Sequence, residues 1–391
     1  MQTEGTETLE TAAPAPTAWN RNHPYLATVT ENRLLTGPGS EKETRHIEID
    51  LNDSDIRYLP GDSAGILPAN PPEAVTDVLR RLEMSGDEPV KDFYGQAIDL
   101  REALTSWLMI GKLSISTVRH WAALTGHPQL AELVQPGNKE KLDAWSWGRE
   151  FIDLLDHAPG KIDDPQLLFK YLPRLVPRLY SIASSQALHS DAIHLSVRVV
   201  RYESYGREHF GVCSGQIGER TPPGGTLPIF IHSNQLFRMP ADPGVPVIMI
   251  GPGTGIAPFR AFLEHKQAGV GHWPMWLFFG DQRASQDFLY EFELLKWKQN
   301  GVLQRLDTAF SRDQAFKVYV QDRIRENARE LWNWLERGAC FYVCGDSKRM
   351  APDVEAALLE SVAQYSGRGP DYAREYLAEM KKQKRYLRDV Y

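Results

Sequence analysis

A chain of 391 residues, 42% hydrophobic and 24% charged, is globular in composition and long enough for two or more domains. Its net charge of −7 at pH 7 excludes the basic excess of a nucleic-acid-binding protein. No apolar run reaches the length of a membrane span, and the N-terminus lacks a basic-then-apolar signal, so no membrane association is expected. The three cysteines, Cys213, Cys340 and Cys344, contain no CxxC pair, which implies reduced thiols, no metal site and a cytoplasmic protein.

Residues 1–18, rich in Thr, Glu, Ala and Pro, read as a disordered tail. From Tyr25 the pattern turns β-like: residues 25–30 and 46–51 alternate with period two, and a turn at 58–62 precedes 64–67. Between about 72 and 172 the chain becomes helical. Leu100, Ala103, Leu104, Trp107 and Leu108 mark one amphipathic helix, and 118–124 and 142–155 continue the theme. Trp107, Trp145 and Trp147 are assigned to helix packing, Cys213 and Cys340 to the core. The β pattern resumes at 178–183, 193–200 and 227–231, so residues 19–240 form an antiparallel barrel with a helical insertion.

After Pro243 strands at 245–250, 276–280, 303–310 and 340–344 alternate with helices at 257–267, 289–300, 320–337 and 350–365. Right-handed crossovers then make residues 241–391 a doubly wound parallel α/β domain. A last helix, from 371 to about 384, leads into a C-terminal tail at 385–391. The centre of this domain is Gly251-Pro252-Gly253-Thr254-Gly255-Ile256-Ala257-Pro258-Phe259-Arg260. A buried strand, three glycines and a helix start follow one another, an arrangement that suits a phosphate or a plain strand–helix turn. The spacing G-x-G-x-G does not match the dinucleotide fingerprint G-x-G-x-x-G.

Arg178-Leu179-Tyr180-Ser181 resembles the Arg-x-Tyr-Ser flavin motif of the ferredoxin–NADP reductase superfamily. The helical insertion narrows the likeness to its diflavin reductase branch. The run Arg178 to Gln186, Lys317-Val318-Tyr319-Val320-Gln321-Asp322 and the final Arg388-Asp389-Val390-Tyr391 are most similar to the NADPH-dependent sulfite reductase flavoproteins. The resemblance covers about Trp19 to Tyr391. It implies an FAD-binding barrel over 19–240 and an NADPH-binding domain over 241–391 with a flavin-stacking tail. That family begins with an FMN-binding flavodoxin domain, for which this chain has no room.

The chemistry suits the residue types. A flavin dinucleotide presents a pyrophosphate, for which Arg178 supplies a fixed guanidinium. By resemblance Tyr180 lies against the isoalloxazine ring and Ser181 beside its N5. Gly211-Val212-Cys213-Ser214 matches the second flavin motif. Ser196, Val197, Arg198 and Tyr202 align with contacts to the flavin nucleotide, and Ser114 stands where the family often has Thr. A solvent-alternating strand, a simple loop and an exposed strand end are the bland alternatives for these stretches.

For the pyridine nucleotide the resemblance points to Gly253, Thr254, Gly255, Ser311, Arg312, Lys317, Val318, Tyr319, Val320, Gln321 and Asp353. NADPH carries a 2′-phosphate that NADH lacks, so selectivity calls for cations such as Arg312 and Lys317 among hydroxyl and amide donors. A solvated polar loop is the alternative. At the reacting end the resemblance gathers Ser181, Cys344 and Asp389, with Tyr391 stacked over the flavin where the nicotinamide must come. Plain packing of Cys344 and a solvated Asp389 are the bland readings.

The expected function is an NADPH-oxidising FAD enzyme that serves a separate electron-accepting protein. That partner is a sirohaem sulfite reductase subunit, a flavodoxin or a ferredoxin-like carrier. A general flavodoxin or cytochrome reductase, the FAD/NADPH half of a longer diflavin protein and a silent nucleotide-binding module are the alternatives. The basic run Lys381, Lys382, Lys384, Arg385 and Arg388 reads either as a steering rim for an acidic carrier or as an ordinary helix C-terminus.

Overall fold

A computed structural model describes residues 18–52 and 54–391; the expected tail over 1–18 lies outside these except for Ala18. The chain divides into two compact units. One joins the described residues up to Gly65 with Leu179–Arg198 and Pro223–Tyr391; the other joins Ile66–Arg178 with Val199–Pro222.

Alternation produces the first strands. In β1 (Tyr25–Leu34) Ala27 and Val29 are buried, in β2 (Glu43–Asp50) Ile47 and Ile49, and β3 (Ser63–Ile66) is buried throughout. The helical unit follows, with a small hairpin of β4 (Pro89–Lys91) and β5 (Ala97–Asp99). Its helices Pro72–Leu82, Ile115–Thr125 and Phe151–His157 close over a core that includes Leu104, Trp121, Phe151 and Leu154. The expected helix at 100–108 is one turn, Leu100–Glu102, running into a π-turn at Ala103–Trp107.

Two expectations for this unit are corrected. Residues 142–155 do not form one helix, because Gly148 adopts φ +73° between Lys139–Ser146 and Phe151–His157. Trp147, at that break, is 82% exposed and packs no core, whereas Trp107 and Trp145 do lie against it.

β6 (Arg178–Ser181), β7 (Ala192–Val199), a hairpin of β8 (Arg201–Ser204) and β9 (Arg207–Phe210), and β10 (Thr226–His232) complete the β-rich part. The main sheet runs β6-β3-β10-β1-β2-β7. Its two edges meet through the antiparallel bridge Ile182↔Leu195 and the Ala183 N–H to His194 C=O bond (2.8 Å), which closes the barrel.

The remaining sheet is wholly parallel, in the order β13-β12-β11-β14-β15. Its strands are β11 (Val247–Ile250), β12 (Met275–Asp281), β13 (Arg305–Phe310), β14 (Cys340–Gly345) and β15 (Tyr386–Val390). Alternate residues feed two cores, as helices on both faces require. Ile248, Ile250, Trp276, Phe278, Phe341 and Val343 face one, and Val247, Met249, Leu277, Phe279, Tyr342 and Cys344 the other. The doubly wound expectation holds, with two corrections. The expected tail is mostly β15, an edge strand, and the helix at 320–337 breaks at Asn327 into Val320–Glu326 and Ala328–Glu336. No helix among the described residues is long and apolar enough to cross a membrane.

A buried polar network links the barrel strands to the helix Ala257–Gln267. Arg260 is 6% exposed; its Nη1 donates to Ala183 O (2.7 Å) and His194 Nδ1 (3.4 Å), and it pairs with Glu264 and Glu293, both at 2.8 Å. A guanidinium only donates, so His194 Nδ1 accepts and the ring proton sits on Nε2, 3.7 Å from Glu48. His46 Nδ1 lies 2.9 Å from the Tyr290 hydroxyl and Nε2 3.1 Å from Glu48. His46, Glu48 and His194 place donor atoms within 4.8 Å of one another, as do His189, His194 and Glu264. The placed His194 proton and the adjacent guanidinium make these groups hydrogen-bonded networks rather than cation sites.

Burial first and the Arg260 charge second lower both His46 and His194 to about 2. They are neutral in the native state but titrate near 6.5 when unfolded, so the unfolded chain binds more protons below that pH. Stability should therefore fall as pH drops below about 6.5, by about 1–2 kcal/mol per histidine at pH 5. Urea unfolding of the protein across pH 5–7 checks this. His46→Gln should remove about one proton from the slope; an unchanged slope would show that His46 is not held neutral.

Candidate functional site

In an open parallel sheet, ligands bind at the carboxyl edge where the strand order switches direction. Here that point lies between β11 and β14. The loop after β11 forms a short 3₁₀ turn, Gly253–Ile256, that runs directly into the helix Ala257–Gln267. Gly253 takes φ +57°. A Cβ on Gly255 would fall 2.2 Å from the Cys344 carbonyl oxygen, so glycine is what lets the loop rest on the end of β14.

Strand pairing then assembles the proposed reacting end. β15 lies parallel to β14 in a register that sets Asp389 beside Cys344. The Asp389 carboxylate accepts a 2.6 Å bond from the Ser181 hydroxyl at the end of β6, and the Cys344 sulfur is 4.0 Å from the same oxygen. Tyr391, 64% exposed, shares a 2.9 Å hydroxyl bond with Thr254 of the glycine turn. Its backbone is fixed by Tyr391 N–H to Gly345 O and Ser347 N–H to Tyr391 O, each 3.0 Å. Four residues expected together from the sequence are thus brought together. Cys344 is fully buried, and burial, followed by the nearby Asp389 charge, pushes its thiol far up. It is a neutral thiol, not a thiolate nucleophile.

The expected 2′-phosphate pocket follows β12 and β13. The backbone N–H groups of Ser311 and Arg312 bond to Asp281 O (2.9 Å) and Gln282 O (2.8 Å). Arg312, Lys317 and Tyr319 are exposed, while Val318 and Val320 turn inward and anchor the loop. Gln321 Nε2 donates to Asp353 across 3.3 Å, so these two expected contacts also converge. One partner was not legible: the Arg312 guanidinium is paired with Glu41, from the loop between β1 and β2.

The residues expected to contact the flavin nucleotide lie in both units. Tyr180 is half-buried, Leu179 is 51% exposed, and Arg198 points outward between buried Val197 and Val199. The Ser196 hydroxyl is committed to Tyr290 at 2.7 Å. In the helical unit Arg178 is exposed, and Tyr202 stacks on His209 with ring centres 5.0 Å apart. Ser114 caps the helix Ile115–Thr125, accepting the Thr117 N–H at 3.0 Å. Gly211 bonds Val200 O (2.8 Å), and the Ser214 hydroxyl accepts the Val200 N–H (3.1 Å). These bonds fix the turn Val212–Gly215, which buries Cys213 and has no side-chain cap. Taken unit by unit, the uncapped turn suits a phosphate and, in the other unit, the exposed aromatic at Tyr391 suits a flat ring, so the residue types in each fit FAD.

The basic run is partly spent within the fold. Glu355 pairs with Lys381 (3.1 Å) and Arg388 (3.8 Å), and Arg385 donates to Leu335 O and Ala339 O.

Comparison with known proteins adds identity to this geometry. Residues 18–215 match the family described as FAD binding domain, and 249–356 the one described as oxidoreductase NAD-binding domain. A sulfite reductase [NADPH] flavoprotein alpha-component of Bacillus subtilis (strain 168) is 44% identical over 390 residues, covering 97% of this chain and 64% of its own. The proteins of the same name from Escherichia coli (strain K12) and Yersinia pestis are each 44% identical over 373 residues, covering 95% of this chain and 62% and 61% of theirs. The chain therefore spans less than two thirds of the length of these relatives. It belongs to the diflavin-reductase branch of the ferredoxin–NADP reductase superfamily, a flavoprotein oxidoreductase with FAD as its cofactor.

Proposed function

We propose that the chain oxidises NADPH and delivers the electrons to a separate protein, a sulfite-reducing haem subunit. The observation that carries this reading is the meeting of Ser181, Cys344 and Asp389, which come from three distant parts of the sequence. FAD, when bound, supplies an acceptor for the two electrons of a hydride and can release them one at a time.

The residues divide the remaining work. Arg178 and the Gly211–Ser214 turn hold the pyrophosphate, and Tyr180 and Tyr391 offer flat faces. Tyr391 must yield its place to the nicotinamide, breaking one hydroxyl bond to Thr254. Arg312 and Lys317 take the 2′-phosphate, with Ser311, Tyr319 and Gln321 as neutral donors. Cys344 presents a small, uncharged, water-excluding surface to the nicotinamide. Asp389 stabilises the positive charge that grows on that ring as hydride leaves, and the Ser181 hydroxyl keeps the carboxylate aimed. The names of the relatives support sulfite reduction as the setting.

Three measurements test this. In anaerobic stopped-flow, Asp389→Asn should slow FAD reduction by NADPH by roughly 10²-fold. Cys344→Ala should slow it less, and both variants should keep FAD bound; wild-type rates in both would discard the proposed reacting end. Arg312→Ala should raise KM for NADPH by about one to two decades while sparing NADH, since only NADPH loses a charge-assisted bond. Finally, the reduced protein should be reoxidised faster by a sirohaem sulfite reductase subunit than by a flavodoxin; the reverse order would move it to general carrier reduction.

A further inference from the structure

The loop joining β1 to β2, Gly37-Pro38-Gly39-Ser40-Glu41-Lys42, reaches the carboxyl edge of the parallel sheet with three consecutive side chains. Ser40 donates to Asp287, Glu41 accepts from Arg312, and Lys42 donates to Asp281. The backbone is fixed as well, through Gly37 N–H to Gln286 O (2.6 Å). Gly39 has φ +85°, a left-handed conformation that glycine takes without strain, which favours this path of the loop.

The two ion pairs differ in kind. Lys42 and Asp281 are 18% and 1% exposed, a buried pair that neither partner can leave cheaply. Glu41 and Arg312 are 62% and 37% exposed, a solvated pair that separates at little cost. The inner pair therefore fixes the loop, and the outer one is free to exchange. Lys317, five residues beyond Arg312, has no ion pair among the described residues.

We propose that Glu41 is a specificity-determining residue whose carboxylate holds Arg312 until the 2′-phosphate of an adenosine nucleotide displaces it. This rests on the reading of Arg312 as the 2′-phosphate ligand. A phosphate carries about −1.5 to −2 charges against one on a carboxylate, and it gains Lys317 in addition, so it wins the exchange. Glu41 sets the strength of binding: it keeps the guanidinium extended toward its ligand, weakens every 2′-phosphorylated nucleotide alike, and recaptures Arg312 as the oxidised product leaves. A nucleotide without the 2′-phosphate does not enter the exchange.

Calorimetric titration of the FAD-loaded protein with 2′,5′-ADP and, separately, 5′-AMP tests the exchange. Glu41→Gln should bind 2′,5′-ADP roughly two- to fivefold tighter than wild type, with 5′-AMP unchanged, and the gain should shrink as salt rises. Arg312→Ala should weaken 2′,5′-ADP, and adding Glu41→Gln to it should change nothing further. Wild-type affinity in Glu41→Gln, or the same gain with Arg312 absent, overturns the exchange while leaving the pocket intact. If Arg312→Ala does not weaken 2′,5′-ADP, the pocket reading falls and the exchange with it.

Discussion

The arrangement depends on compensating one buried positive charge. Arg260 closes the glycine stretch, and its guanidinium is satisfied only when partners from separate elements are all in place. Glu264 lies one turn along its own helix, Glu293 on the helix Glu291–Gln299, and Ala183 O and His194 on the barrel. The face of Tyr290, 4.9 Å from the guanidinium carbon, completes the enclosure. Leaving such a charge unpaired costs about 3–5 kcal/mol, so the helix is strongly held against the barrel strands. Ala183 is two residues beyond Ser181, and Arg260 is five beyond Gly255. The same charge that locks the packing therefore also sets the separation between the Ser181 hydroxyl and the glycine turn.

Much of the fold was legible because it follows from local patterns. The helix 257–267 was read to its observed ends, and the all-apolar run before the glycines became a strand buried on both faces. The breaks at Gly148 and Asn327 and the exposure of Trp147 were not, since a periodic stretch does not announce where a turn interrupts it. β15 was hidden for a different reason. Its sequence, Tyr386 to Val390, includes two charged residues, and only pairing with β14 makes it a strand. Of the site, Ser181, Cys344, Asp389 and Tyr391 were reachable through family motifs, not through any spacing in the chain. Glu41, Lys42, Arg260 and the histidine pair were missed because their partners lie far away in sequence. Nothing in the sequence around Gly37 to Lys42 assigns its charges to the ends of β12 and β13.

Electrostatically, the proposed reacting end and the proposed nucleotide pocket follow opposite rules. At the first, burial keeps the Cys344 thiol neutral, and the Asp389 carboxylate is held by one short hydroxyl bond. A fixed negative charge beside an uncharged surface favours a ring that becomes positive and penalises little else. In the pocket the charges are exposed, mutually paired and exchangeable, suited to recognising a dianion that must also be released. The sheet separates the two because the pocket follows β12 and β13, and the reacting end follows β14 and β15, on either side of β11.

Among the described residues β15 is bonded on one side only, as the outermost strand of its sheet. Edge strands open with less free energy than central ones, because fewer contacts must be broken. This strand carries Asp389 and leads to Tyr391; its first residues, Tyr386 and Leu387, reach the two apolar cores in which β11, β12 and β14 sit deep, but Arg388 and Asp389 do not. Local fraying of that edge withdraws the carboxylate and the aromatic cover in a single event and leaves the rest of the sheet standing. On warming, activity should then disappear ahead of the cooperative transition, and slow amide exchange should persist in the central strands of a molecule already unable to react.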